Sequence, residues 1–342
     1  MKFKKVVALA TTAILSTSLL VGCSGSKSES DDKKKDVTIA MVTDTGGVND
    51  LSFNQSAWEG LQRAEKELGV KVKYLESHKD SDYMSNIETL VDEEVDLIVG
   101  VGFKIAPAIE DSAKLFPEQK FAIVDATYDK VPENVKSILF NAQEAGYLVG
   151  AVAAKMTKTN NVGFIGGVEI PSVQTFEYGY LKGVEDTNPE VTVQRQYANS
   201  FTDSAKGKAI AQQMHNKNAD IIFAAAGGVG TGAIEAAREN NKFAIGVDRD
   251  QSNEAPDNIL TSAIKRVDVG VFETVKELVE DKFPGGTSKV YGLEEDGIGI
   301  PDTTSKLVPQ EIIDYVKEIE GKLKKGEIKV PGTPEEYKEM SK

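Results

Sequence analysis

The sequence predicts an α/β protein built from two doubly wound, parallel-sheet lobes joined by a multi-strand hinge, and three observations lead there. Short β-branched apolar runs alternate with amphipathic helical patterns. The alternation then repeats in the second half of the chain with almost unchanged spacing, and further strand and helix patterns follow the repeat. A βαβ rhythm of this kind folds as an open parallel sheet with helices on both faces.

The first set of strands is read at 37–42 (VTIAMV), 96–102 (DLIVGVG) and 120–125 (KFAIVD). Such short apolar runs suit strands buried on both faces. Between them lie helical patterns over 55–68, with Trp58, Leu61, Ala64 and Leu68 on one face, over 82–94 and over 106–115. In the second half VGFIGG (162–167) answers the first strand, NADIIFAAAG (218–227) the second and KFAIGVD (242–248) the third. Phe53 lies seven residues before Gly60, and Phe176 seven before Gly183. Phe53 to Asp96 is 43 residues and Phe176 to Asp220 is 44; Asp96 to Asp125 is 29 and Asp220 to Asp248 is 28. After the repeat come strand-like NILTSAIKR (258–266), a helix at 267–282, strand-like VYGLEEDGIGI (290–300) and a helix near 309–325. These extra elements suit a chain that crosses between lobes near Asn141, Arg266 and Glu294. The expected lobes are then 36–141 plus 267–293, and 142–266 plus 294–342. Several strands at a hinge permit closure while keeping the lobes aligned.

The first 22 residues stand apart from the fold. Lys2, Lys4 and Lys5 precede an apolar run from Val6 to Val21, and Leu20-Val21-Gly22 leads into Cys23. This pattern reads as a signal peptide, and its end resembles the lipobox of bacterial lipoproteins, in which the cysteine thiol is diacylated and becomes the first residue. An ordinary signal peptide with a chance cysteine is the alternative. The apolar run falls short of the ~20 residues that span a bilayer, and no later run reaches it. Residues 23–35 are polar and low in complexity, as a flexible tether is. Cys23 is the one cysteine of the chain, so the fold must stand without an internal disulfide. Removing Lys2, Lys4 and Lys5 takes the formal charge from −14 to −17, which argues against nucleic acid and anionic lipid as partners.

In open α/β sheets ligands bind beyond the carboxyl ends of the strands, so the residues there are the candidates. The first strand runs into Asp44-Thr45-Gly46-Gly47, and Ser52, Phe53 and Asn54 open the next helix, with Ser52 as its expected N-cap. Phe53 and Phe176 hold matched places in the two halves. They either clamp a planar ring between them or pack beneath their helices. Asp125 and Asp248 end matched strands, where carboxylates accept hydrogen bonds from hydroxyls or ring N–H groups; capping of a turn is the alternative. Lys265 ends the strand ILTSAIK, where it either donates to a ligand oxygen or is one more exposed lysine. Gly227 and Gly228 open a glycine-rich turn that lets backbone N–H groups approach a ligand. That turn lacks the G-x-G-x-x-G spacing of a dinucleotide site.

Enzyme chemistry finds little support. Of the two histidines, His78 sits in a polar loop and His215 near a helix end, both read as solvated. No G-x-S-x-G and no metal-binding His spacing is present, and no cofactor is expected. The acids flanking Arg249 read as local charge pairing.

The runs DTGGVNDLSFNQSAWEG, FEYGYLKG, SFTDSAKGKAIA, AAAGGVGTGA, IGVDRDQ and SAIKRVD resemble the basic membrane protein family of lipoproteins over essentially the whole mature chain. The resemblance implies a type I periplasmic-binding fold serving an ABC importer, with its permease subunits as partners and a nucleoside, chiefly a purine nucleoside, as ligand. It implies that Phe53 and Phe176 stack on the base, and that Asp44 and Asp125 bond its edge, with Thr45 (Asn in some relatives) and Asn54 beside them. Asp248 and Lys265 then hold the ribose, with backbone near Gly227 or Gly228 assisting. The protein is expected as a monomer on the extracytoplasmic face of the cell membrane, anchored through Cys23. The same architecture binding a sugar or another small polar metabolite is the competing reading.

Overall fold

The computed structural model describes residues 37–341; the expected signal peptide, Cys23 and the tether lie outside them. The chain begins β1 (Thr38–Val42), α1 (Phe53–Leu68), β2 (Lys71–Leu75), α2 (Asp82–Asp92), β3 (Leu97–Val101), α3 (Ala106–Leu115), β4 (Lys120–Val124) and β5 (Val135–Phe140). It continues with α4 (Ala142–Met156), β6 (Asn161–Gly166), α5 (Pro171–Thr187), β7 (Thr192–Tyr197), α6 (Ser204–Asn216), β8 (Ile221–Ala225), α7 (Gly228–Glu239), β9 (Phe243–Asp248) and β10 (Ile259–Lys265). Last come α8 (Val267–Val279), β11 (Thr287–Tyr291), β12 (Ile298–Gly299), α9 (Gln310–Lys324) and α10 (Pro334–Met340).

Two six-stranded sheets result, ordered β11-β5-β4-β3-β1-β2 and β12-β10-β9-β8-β6-β7. Every pairing in the first is parallel. In the second the short β12 alone runs antiparallel, against β10. The two orders match strand for strand, which is the sequence repeat made visible. All five residues of β3 and all five of β8 are buried, as strands covered on both faces must be.

The stretch 290–300, expected as one strand, is two. Its glycines and acids fold into a turn closed by the Gly297 N–H donating to the Gly292 carbonyl at 2.9 Å. β11 therefore stays beside β5 in the first sheet, while β12 pairs with β10 in the second. The two neighbouring helices are also exchanged: α4 packs on α5 and β10, and α8 packs on α1.

The paired glycines of the repeat explain those helix contacts. A Cβ on Gly60 would come within 2.5 Å of the Asp268 carbonyl of α8, and one on Gly183 within 2.2 Å of the Tyr147 carbonyl of α4. Each glycine thus lets the crossing helix lie directly on its neighbour. Gly183→Ala should lower stability by about 1–3 kcal/mol through overpacking, read as a lower urea midpoint at unchanged slope. An unchanged midpoint would mean that the two helices part at no cost.

Candidate functional site

Between the carboxyl ends of the two sheets lies a cavity of about 610 Å³, counting space open to solvent. The loop from β1 to α1 builds one wall. Asp50, buried, caps α1: its carboxylate accepts from the N–H groups of Ser52 (2.9 Å), Asn54 (2.8 Å) and Gln55 (3.1 Å). A carboxylate here is favoured by the helix dipole as well as by the free N–H groups. Ser52, the expected cap, makes no capping bond. Its hydroxyl donates instead to Asp248 Oδ2.

Asn54 holds the wall together. Its Nδ2 donates to Asp44 Oδ1 at 2.7 Å and to Asp50 Oδ2 at 2.9 Å, while its Oδ1 accepts from the Asp44 N–H at 3.1 Å. With its polar atoms spent inside the wall, Asn54 positions Asp44. The Gly46 N–H donates to the same Asp44 oxygen at 2.8 Å. Burial nevertheless prevails over these hydrogen bonds and pushes the Asp44 carboxyl up to about 6.

A charge cluster joins the ends of the two sheets. Lys265 Nζ lies 2.6 Å from Asp125 Oδ2 and 3.3 Å from Asp248 Oδ1. The ammonium also sits 4.4 Å from the centre of the Phe53 ring and 5.3 Å from that of Phe176, within cation–π range of both. Asp125 and Asp248 end their strands with φ of 61° and 64°, a left-handed conformation that Asp tolerates better than most residues. Burial pulls the Lys265 pKa down, but the charges of Asp125 and Asp248 together outweigh it, so the pKa lies above its ordinary value and the ammonium stays charged. Burial raises the Asp125 carboxyl, against the pull of Lys265.

Asp44, Phe53, Asn54, Asp125, Phe176, Gly227, Asp248 and Lys265 all line the cavity; Thr45 and Gly228 lie next to lining residues without lining it. Phe53 is partly buried. Phe176 is 3% exposed and packs edge-on against Phe223 at 6.0 Å, so it serves the core and the cavity together. Gly227 turns at φ 54°, and a Cβ there would crowd the Phe201 carbonyl at 3.1 Å. Phe103, Lys104, Phe201 and the helix-capping Asp50 also line the cavity, and the sequence reading passed over all four. Phe103 and Phe201 sit at the carboxyl ends of strands, the signal that marked the others.

Two expectations of solvated or local charge fail. His215 is buried, with Nδ1 2.9 Å from the Ala219 carbonyl, and burial lowers its pKa. Arg249 bonds Glu59 across the cleft at 2.8 Å instead of its neighbouring acids. His78 is exposed as expected. Among the described residues no cluster of His, Cys, Asp or Glu is arranged to hold a metal ion.

The model of one family, described as ABC transporter substrate-binding protein PnrA-like, matches residues 37–334. A CD4+ T-cell-stimulating antigen of Listeria monocytogenes is 43% identical, over 97% of this chain and 99% of its own. The ABC transporter nucleoside-binding protein BmpA of Lactococcus lactis is 38% identical, over 96% and 99%. Among solved structures, an ABC transporter solute-binding protein of Aeropyrum pernix superposes with a TM-score of 0.82 at 31% identity, over 89% of this chain and 96% of that one. A two-lobed cleft and a family match over residues 37–334 have one reading: this chain belongs to the Bmp family of PnrA-like ABC transporter substrate-binding proteins, whose role is to bind and not to catalyse.

Proposed function

We propose that the cavity captures a nucleoside, preferentially a purine nucleoside, and presents it to the permease of an ABC importer from a lipid-anchored position on the outer face of the membrane. The observation that carries this reading is the pairing, in one cavity, of phenyl rings with the Lys265–Asp125–Asp248 cluster. Rings suit a flat base, and carboxylates beside an ammonium suit the hydroxyls of a ribose. The name of the Lactococcus relative agrees. A thermal-shift screen of the mature protein with nucleosides, free bases and sugars tests it. A nucleoside at 100 times its Kd adds about 2.7 kcal/mol of stability, whereas stabilisation by sugars alone would sink the reading in favour of the polar-metabolite alternative.

Asp44 supplies a pH dependence. Its carboxyl is raised on folding, so its contribution to stability is full below its ordinary 3.8 and is lost as pH rises through about 6. A base N–H donated to Asp44 selects the ionised form. Nucleoside affinity should therefore fall as pH drops through about 6, with a proton released on binding in that window. Calorimetry in two buffers of different ionisation enthalpy reads the proton directly; a pH-independent affinity would remove Asp44 from the contact.

The anchor is assigned to Cys23, and among the described residues no helix is long and apolar enough to cross a membrane. Cys23→Ser should move the protein from the salt-washed membrane pellet into the soluble fraction. Retention in the pellet would put the attachment elsewhere.

A further inference from the structure

Ser52 and Asp248 stand 196 residues apart at the ends of different sheets, yet the hydroxyl of one donates to the carboxylate of the other. Ser52 is 0% exposed and Asp248 6%. Two more bonds run beside theirs: Gln251 Nε2 donates to the Leu51 carbonyl at 3.1 Å, and Arg249 Nη2 to Glu59 Oε1 at 2.8 Å. All three link the residues at the end of β9 with α1 and the loop that leads into it. The backbone is strained at both ends of the contact, with φ of 56° at Leu51 and 64° at Asp248. A bulky residue such as Leu adopts this conformation only where its surroundings impose it. Here the kink aims the Leu51 carbonyl at Gln251 and frees the next hydroxyl for Asp248. Helix capping does not require Ser52, since Asp50 performs it. The carboxylate that Ser52 holds by one oxygen lines the cavity, and its other oxygen, Oδ1, meets Lys265 at 3.3 Å but makes no hydrogen bond among the described residues.

We propose that Ser52 is a positioning residue for capture: its bond to Asp248 forms when the lobes close, so the cleft shuts by completing a contact between the lobes, with Ser52 itself outside the cavity lining. This rests on the reading of the cavity as the ligand site. A ligand that binds the closed state has an apparent affinity proportional to the closed fraction. Losing the hydroxyl leaves a buried carboxylate short of a donor in that state alone, because opening returns Asp248 to water. Ser52→Ala should therefore weaken all ligands by one common factor, roughly 5- to 100-fold.

The test compares wild type, Ser52→Ala and Ser52→Thr by calorimetry with guanosine, inosine and adenosine, and by hydrogen exchange and small-angle scattering without ligand. In the ligand-free alanine variant, exchange at 49–56 and 248–252 should rise and the radius of gyration should grow; threonine should restore binding, exchange and size together. In a cycle with Asp248→Ala, the Ser52→Ala change should have little further effect. Wild-type affinity with unchanged exchange would overturn the proposal, and so would loss of one nucleoside with the others spared, which would make Ser52 a direct contact. If Ser52→Ala does not fold, Gln251→Leu and Arg249→Ala should move the same readouts in the same direction by smaller amounts, and no movement in either would overturn it. Should wild type bind none of the three nucleosides, the nucleoside reading fails while exchange and scattering still decide the closing contact.

Discussion

Lys265→Met should lower the stability of the ligand-free protein by about 3–5 kcal/mol, the usual result of removing one partner from a buried ionic group. The Lys265 side chain is 4% exposed, and its ammonium has Asp125 at 2.6 Å and Asp248 at 3.3 Å. Without it two carboxylates face one another, with Ser52 as the one hydrogen-bond donor to either among the described residues. Water and protonation are their remaining relief. The deficit should therefore shrink on acidification, the direction expected for Asp125, whose carboxyl is already raised, and Asp125→Asn added to Lys265→Met should recover part of the loss. Urea titrations of the three proteins at neutral and mildly acidic pH measure this. A variant as stable as wild type would mean that the cavity is wet enough to solvate both acids.

Phe53→Ala should weaken nucleoside binding by ~1–3 kcal/mol, by analogy with other base–aromatic stacks, which is roughly 5- to 150-fold in Kd. The structure makes Phe53 the cleaner probe of the two matched rings. It is partly buried and already faces a cation, so its removal opens space into the cavity. Phe176 packs on Phe223 inside the core, and its truncation should also cost the ~3–5 kcal/mol of a large core deletion. Calorimetry on a folded Phe53→Ala protein with wild-type affinity would end the stacking model.

What the sequence made legible follows from the repeat. Matched spacing located Phe53, Asp125, Phe176 and Asp248 at equivalent strand ends, and the structure brings all four to one cavity with Lys265. What it hid depends on local competition and distant partners. Asp50 and Ser52 are both good caps two residues apart, and the left-handed turn at Leu51 decides between them. Arg249 has acids on both sides in sequence, yet its partner Glu59 is 190 residues away. His215 looked solvated because its helix end is polar; the Ala219 carbonyl that receives it comes from the turn beyond. Phe103 and Phe201 have no aromatic counterpart in the other half of the chain, so the repeat could not point to them.

The exchanged helices have a consequence for the chain while it is being made. The first sheet takes its outer strand from residues 287–291, and α1 is covered by residues 267–279. A nascent chain that ends at Arg266 has a complete run of early strands but no β11 to cover β5 and no α8 to lie on Gly60. The amino-terminal half therefore cannot finish ahead of the rest. Contacts that span so much sequence also form slowly. The same topology that lets two lobes share a hinge makes the last contacts of the first sheet wait for residues 267–291.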